Sequence, residues 1–331
     1  MKLIPVETPQ DFLVAQQFIE PYEETCVSLA SLIRRKSDKL IFITKSEGPI
    51  VAVPEPVEGP ATATKSNSTV VSRASTTEGT MLGILNLDST LYHCIPHPDQ
   101  LDVDFLKNNL PYLMKKPVRC ISGETSGTEF LAKTLPGQSP AIVYPYKMLR
   151  WFTASEAGVS QQPHHSQNEV SPLQSDSETS ISLSTPTLSG GEEIIRCTEH
   201  DMDFLQPLQK DYMKEEVAVP GRTITGAEVA ITLRKILKNQ LCLALTVDGD
   251  IVAKANTNAI GINCVQLGGV YTHPLYRRNG YAGALVTALC KRATRADKQP
   301  VLFVKEKNGP AITLYQKLGF EECGHYTIAY Y

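Results

Sequence analysis

Apolar residues recur along this chain with two periods. Helical spacing marks residues 11–18, 23–36, 103–114 and 126–135, and again 204–217, 226–239, 281–294 and 311–318. Short apolar or alternating runs between them predict strands at 40–44, 50–53, 81–87, 91–95, 118–122 and 141–149. A second set falls at 241–247, 251–257, 264–272, 301–304 and 326–330, with Asp248-Gly249 between two apolar runs as a hairpin signal. The two halves share one order of elements, although residue identity between them is slight. The pattern predicts an α/β (α+β) fold built as a tandem.

Two stretches lose both periods. Residues 54–79 are rich in Pro, Ser, Thr and Ala and interrupt a strand pair, so they read as a disordered low-complexity insertion. Residues 155–190 contain ten serines and no Lys or Arg, the composition of a flexible linker. The predicted layout is a first domain at 1–154, a disordered Ser-rich linker at 155–191 and a second domain at 192–331.

Composition narrows the function classes. Of the 331 residues, 42% are apolar and 20% charged, as in soluble globular proteins. A net charge of −3 gives no basis for general attraction to nucleic acid or an anionic membrane. No apolar run approaches the roughly 20 residues that span a bilayer, and the first residues lack a signal-peptide core. Eight scattered cysteines include no C-x-x-C pair, which predicts reduced thiols and a cytoplasmic protein. His164-His165 has no Cys or carboxylate at ligand spacing, so no metal is expected.

The most specific chemistry lies at Arg277-Arg278-Asn279-Gly280-Tyr281-Ala282, between a predicted strand and a predicted helix. A turn of this kind aims free backbone N–H groups at one point, and the helix dipole adds partial positive charge. Gly280 and Ala282 are small where a backbone must approach phosphate, and Asn279 tolerates positive φ. No Asp or Glu occurs between Gln266 and Ala296. These features suit a pyrophosphate. Asn308-Gly309-Pro310-Ala311 opens a second signature that continues through Tyr315 to Gly319-Phe320. Together the two motifs resemble the acetyl-CoA site of the GNAT N-acetyltransferase superfamily over about residues 192–331. The first half resembles a degenerate domain of the same kind, and the resemblance implies that each half is a central mixed, mostly antiparallel sheet flanked by helices.

The resemblance implies acetyl-CoA as co-substrate and a small-molecule or peptide amine as acceptor, attacking the thioester directly. It implies backbone contacts from Val270 and Thr272 to the pantetheine arm, and cofactor contacts from Arg277, Arg278, Asn279, Gly280, Tyr281, Ala282, Asn308 and Ala311. Tyr315 is placed as the acid that protonates the departing thiolate; packing beside Leu314 and Leu318 is its alternative. Glu215-Glu216 lies where family members line the acceptor site, and Glu216 is taken as the candidate base, with a solvated helix end as the alternative. In the first half, Ile95-Pro96-His97-Pro98-Asp99-Gln100-Leu101-Asp102 replaces the phosphate turn. Two prolines remove N–H donors there, and Asp99 or Asp102 is suited to capping the next helix. A non-catalytic acyl-CoA-binding module is the rival reading.

Overall fold

A computed structural model describes residues 1–45, 50–51, 79–135, 139–152 and 191–331. Almost all of the expected insertion at 54–79 and linker at 155–191 lies outside the described residues. The chain forms two compact units that are not contiguous in sequence. Unit 1 is Met1–Lys147 with Ala259–Gln266 and Gly324–Tyr331; unit 2 is Met148–Asn258 with Leu267–Cys323.

Unit 1 begins with β1 (Lys2–Pro5), a strand too short and mixed to stand out in the sequence. Helix α1 (Pro9–Ile19) starts in a capping box between Thr8 and Asp11. The expected helix at 23–36 is instead a 3₁₀ turn, Glu20–Thr25, followed by α2 (Val27–Arg34). Strands β2 (Leu40–Thr44), β3 (Ile50–Val51), β4 (Gly79–Asn86), β5 (Thr90–Cys94) and β6 (Cys120–Glu124) follow, with α3 (Val103–Leu113) between β5 and β6 and α4 (Thr125–Thr134) after β6. The sheet runs β1-β2-β4-β5-β6 and continues onto the chain's last strand, where Tyr326–Tyr330 lies antiparallel on β6. The β5–β6 pair is parallel and the β1–β2, β2–β4 and β4–β5 pairs are antiparallel.

Alternation along β2 feeds both faces of this sheet. Leu40 and Phe42 join Phe12, Ile19, Leu29 and Ile33 of α1 and α2. Ile41 and Ile43 join Leu106, Leu110 and Leu131 of α3 and α4. Each such buried side chain contributes about 1.5–3 kcal/mol. The buried carboxylate of Glu23 accepts from the amides of Ile262 (2.6 Å), Asn263 (2.8 Å) and Cys264 (2.9 Å), tying Ala259–Gln266 to the 3₁₀ turn.

Unit 2 contains β8 (Glu192–Arg196), β9 (Cys242–Val247), most of β10 (Asp250–Ile260) and of β11 (Cys264–Thr272), and β12 (Gln299–Lys305), hydrogen-bonded in the order β12-β11-β10-β9-β8. The end of β7 (Ile142–Trp151) lies beside β12. Its Trp151 carbonyl accepts from Gln299 (2.7 Å), and its indole donates to the Leu318 carbonyl (2.8 Å). The helices are α5 (Met202–Tyr212), α6 (Gly226–Asn239), α7 (Tyr281–Thr294) and α8 (Gly309–Lys317), and the chain ends in β13 (Phe320–Tyr330). The hairpin expected at Asp248-Gly249 joins β9 to β10. Leu205 and Leu233, from α5 and α6, pack on Cys242 and Ala244 of β9.

None of the eight cysteines forms a disulfide. Among the described residues no helix is long and apolar enough to cross a membrane. The mixed sheets with flanking helices agree with the fold class expected from the sequence.

Candidate active site in unit 2

The turn after β11 delivers a helix start unlike most others in the chain. Helices α1, α3, α4, α6 and α8 are each capped by a side chain, whereas the N-cap of α7 is Gly280, at φ 82° and without a side-chain cap. No acidic residue occupies the first turn. The leading amides of α7 therefore have neither an intrahelical nor a side-chain acceptor, which is the arrangement that holds an anion. Positive φ falls on Arg278 (67°) and Gly280, not on Asn279 as its residue type suggested. Asn279 instead donates through its side chain to the Tyr276 carbonyl (3.2 Å).

The two arginines separate. Arg278 is exposed and has no ion-pair partner among the described residues. Arg277 turns back over Tyr271, donating from Nε to the Thr272 carbonyl (3.1 Å) and from Nη2 to Glu215 Oε2 (2.8 Å). The absence of acidic residues near the motif thus holds along the sequence but not in space. Tyr271 donates to the other Glu215 oxygen at 2.6 Å. Burial alone would raise the Glu215 carboxyl. The bonds from Tyr271 and Arg277 and the guanidinium charge outweigh it and hold the group below its ordinary value. Burial and Glu215 together push the Tyr271 phenol up to about 12.

Glu215 and Glu216 reach different partners because the expected continuous helix at 204–217 changes at Met213 into a π turn, Met213–Val217. Such turns re-aim side chains and recur at functional sites. Glu216 accepts from Asn308 Nδ2 at 3.2 Å and lies 3.8 Å from Lys305 Nζ, whose ammonium also bonds the Glu216 carbonyl. Asn308 uses its oxygen to cap α8 through the Ala311 amide (3.2 Å), so both ends of its side chain are engaged.

Tyr315, on α8, is 8% exposed and packs edge-on against Phe320 with ring centroids 5.8 Å apart. Burial, reinforced by Tyr212 and the Glu216 charge, pushes its phenol well above the usual value. Its hydroxyl makes no hydrogen bond to the described residues. Val270 and Thr272 are half-buried on β11, and Thr272 Oγ1 is buried without a partner. Tyr281 is buried at the start of α7, and its hydroxyl donates to Glu192 on β8 (2.6 Å). Ala282 is half-buried beside it.

Sequence reasoning missed Lys254, Asn256 and Tyr212. Lys254 is fully buried, donates to the Gly269 carbonyl (3.0 Å) and Asn256 Oδ1 (3.2 Å), and sits 5.0 Å above the Tyr212 ring. Burial pushes its pKa down. Gly269 has φ 60°, and a Cβ there would stand 1.9 Å from Asn256 Oδ1. These residues pin the β11 backbone directly before Val270. The available signal was a lysine inside the apolar β10 run opposite a Gly-Gly pair within a strand.

The fold of the whole chain is that of the GNAT acetyltransferases. A GNAT-family acetyltransferase of Colwellia psychrerythraea superposes with a TM-score of 0.51 at 10% identity, covering 100% of this chain and 99% of the other. A Drosophila protein superposes with a TM-score of 0.55 at 10% identity over 99% and 98%. An acetyltransferase of Clostridium acetobutylicum solved with acetyl-CoA covers 40% of this chain and 91% of its own, at 19% identity and a TM-score of 0.34. Within the second half, residues 249–328 match the model of the FR47-like protein family. No curated protein is matched by this sequence.

Proposed function

We propose that the chain is an acetyl-CoA-dependent N-acetyltransferase whose cofactor site lies wholly in unit 2. The observation that carries this reading is the start of α7: uncapped amides, a left-handed Gly280 and an unpaired Arg278, beside a strand whose Thr272 hydroxyl is buried and unpartnered. These groups fit a pyrophosphate and the polar arm attached to it. Arg277, by contrast, is assigned to holding Glu215 and the end of β11.

Acetyl-CoA supplies an activated acyl group when bound; the residues supply orientation and protons. The Tyr315 phenol stays protonated at neutral pH, so its free hydroxyl is a donor for a departing thiolate. Glu216 is the base that takes a proton from an amine acceptor, directly or through a water. Its charge reaches Tyr315, which supports placing acid and base in one site. Glu215 is the poorer base, because Arg277 and Tyr271 already stabilise its charge. The acceptor is a small-molecule or peptide amine, and cysteines without disulfides are consistent with a reducing, cytoplasmic setting.

The test is release of free thiol from acetyl-CoA across amines, polyamines, amino acids, aminoglycosides and peptides. It is read alongside calorimetric binding of CoA. Thiol release with one acceptor class supports the proposal. Tight CoA binding with no release on the whole panel would favour a binding module instead.

A further inference from the structure

Tyr212 is the last residue of α5, where the helix gives way to the π turn Met213–Val217. Its ring is held on two sides. The Lys254 ammonium, fully buried and bonded to the Gly269 carbonyl (3.0 Å), sits 5.0 Å from the ring centroid. Tyr271 packs against it edge-on, with centroids 6.4 Å apart. These contacts lay the phenol against β11 at Gly269 and Tyr271. Gly269 is three residues, about 10 Å, along the strand from Thr272, on the side away from the phosphate turn.

The Gly269 amide acts on the Tyr212 oxygen, but the hydroxyl proton has no acceptor among the described residues. The side chain is half-buried, and its oxygen is not sealed from solvent in the way that Thr272 Oγ1 is. The Tyr315 oxygen is likewise unpartnered and unsealed. Burial, with the Glu216 charge, pushes the Tyr212 phenol up to about 12, so it keeps its proton at neutral pH. Two phenols with protons to give thus converge on Glu216, whose charge acts on both, and Tyr212 acts in turn on Tyr315. One phenol suffices for a departing thiolate. The negative charge that builds on an acyl oxygen during attack calls for a donor of its own. A cation on the face of a phenol ring draws charge from it and strengthens the O–H as that donor.

We propose that Tyr212 is a second catalytic phenol of the acyl-transfer site, donating its O–H to the acyl oxygen while Tyr315 serves the sulfur; this rests on the acetyl-CoA reading of unit 2 given above. Glu216 takes the amine proton as the C–N bond forms. Tyr212 holds the acyl oxygen while it carries the electron pair of the C=O bond. Tyr315 gives its proton to the sulfur as that pair returns and the C–S bond breaks. Exchange with solvent restores Glu216 and Tyr315, so that amine and thioester become amide and thiol.

The experiment uses the full chain and acetyl-CoA labelled with ¹³C at the carbonyl, read by isotope-edited infrared spectroscopy and by calorimetry. A hydrogen bond to the carbonyl oxygen lowers its stretching frequency. Bound to wild type, the band is expected below its position in free acetyl-CoA. Tyr212→Phe keeps the ring over Lys254 and removes only the hydroxyl, so the band is expected to return toward the free position. Tyr315→Phe is expected to leave it lowered. In Tyr212→Phe the affinity for CoA should hold while kcat, with the acceptor that releases thiol in wild type, falls about 10²-fold, the scale of one lost donor to developing charge. A band unmoved by Tyr212→Phe, a wild-type kcat in that variant, or a CoA affinity that falls as far as kcat would overturn the proposal. Wild type that binds no acetyl-CoA would overturn the cofactor reading and this proposal together, whereas binding with an unmoved band removes Tyr212 alone. The band needs neither acceptor nor turnover, so it decides the matter even where no acceptor is found.

Discussion

Substitution of Gly280 separates backbone strain from charge at the proposed phosphate turn. At φ 82° an L-residue pays up to about 1–2 kcal/mol, and Asp, which adopts this region more readily than Ala, pays no more than Ala, so the strain cost common to both cannot make Gly280→Asp the weaker binder. For a chain of this size the shared cost lowers the melting temperature by a few degrees. The two variants then differ by one negative charge. A carboxylate about 4 Å from one phosphate charge loses between about 1 kcal/mol at water's dielectric and about 4 kcal/mol at that of a protein surface. Gly280 is exposed, so a value near 2 kcal/mol applies, or about thirtyfold in affinity. Calorimetric titration of CoA should therefore show Gly280→Ala a few-fold weaker than wild type and Gly280→Asp weaker again by about thirtyfold. The gap between the variants should narrow as salt is added, since the Debye length falls from about 10 Å at 0.1 M to about 3 Å at 1 M. Two variants of equal affinity, or a gap insensitive to salt, would remove the phosphate from this turn.

Tyr315→Phe keeps the ring that packs on Phe320 and removes only the unpartnered hydroxyl. CoA affinity and melting temperature should hold while kcat falls about 10²-fold; a wild-type kcat would make Tyr315 a core aromatic. Glu23→Ala strands the amides of Ile262, Asn263 and Cys264, at a cost of about 3–5 kcal/mol and roughly 10 °C in melting temperature. A loss below about 1 kcal/mol in chemical denaturation would show that those amides find other acceptors. His93 gives a pH dependence: its folded pKa of about 4 lies below the unfolded value near 6.5, so the unfolded chain binds the proton first as pH falls. Stability is therefore full above about pH 6.5 and is lost toward pH 4 and below, by up to about 3 kcal/mol. Denaturant midpoints for wild type and His93→Phe should converge over that range, and parallel curves would refute the assignment.

The elements legible in the sequence were those with long, clean periods. The ranges expected for α6, β11 and α7 match the structure because each pairs a full apolar period with a cap or turn residue at its end. Where a helix changes type without changing its polarity pattern, the sequence is silent. Residues 204–217 read as one helix because apolar spacing continues past Met213, yet the chain switches there to a π turn. Strands β1 and β8 were missed because each offers only two adjacent apolar residues, Leu3-Ile4 and Ile194-Ile195, too few to show a period. At the candidate site, residue types were visible and partners were not. The separation of Arg277 from Arg278 depends on Glu215, 62 residues earlier. Nothing local in Arg-Arg-Asn-Gly reveals which guanidinium it will take.

The two units differ in the chemistry of their helix caps at a few positions. In unit 1 amides at the starts of α3 and α4 are taken by Asp102 and Glu124, and two prolines thin the turn before α3. In unit 2 the start of α7 has a glycine cap and an adjacent arginine, Arg278, with no ion-pair partner among the described residues, while α8 is capped by the neutral Asn308. A carboxylate in the cap position both consumes the N–H donors and reverses the local charge, so a single capping residue decides whether a helix start accepts a phosphate. On the function proposed for unit 2, cap chemistry is what sets its helix start apart from those of unit 1, through Asp102, Glu124, Gly280 and Asn308.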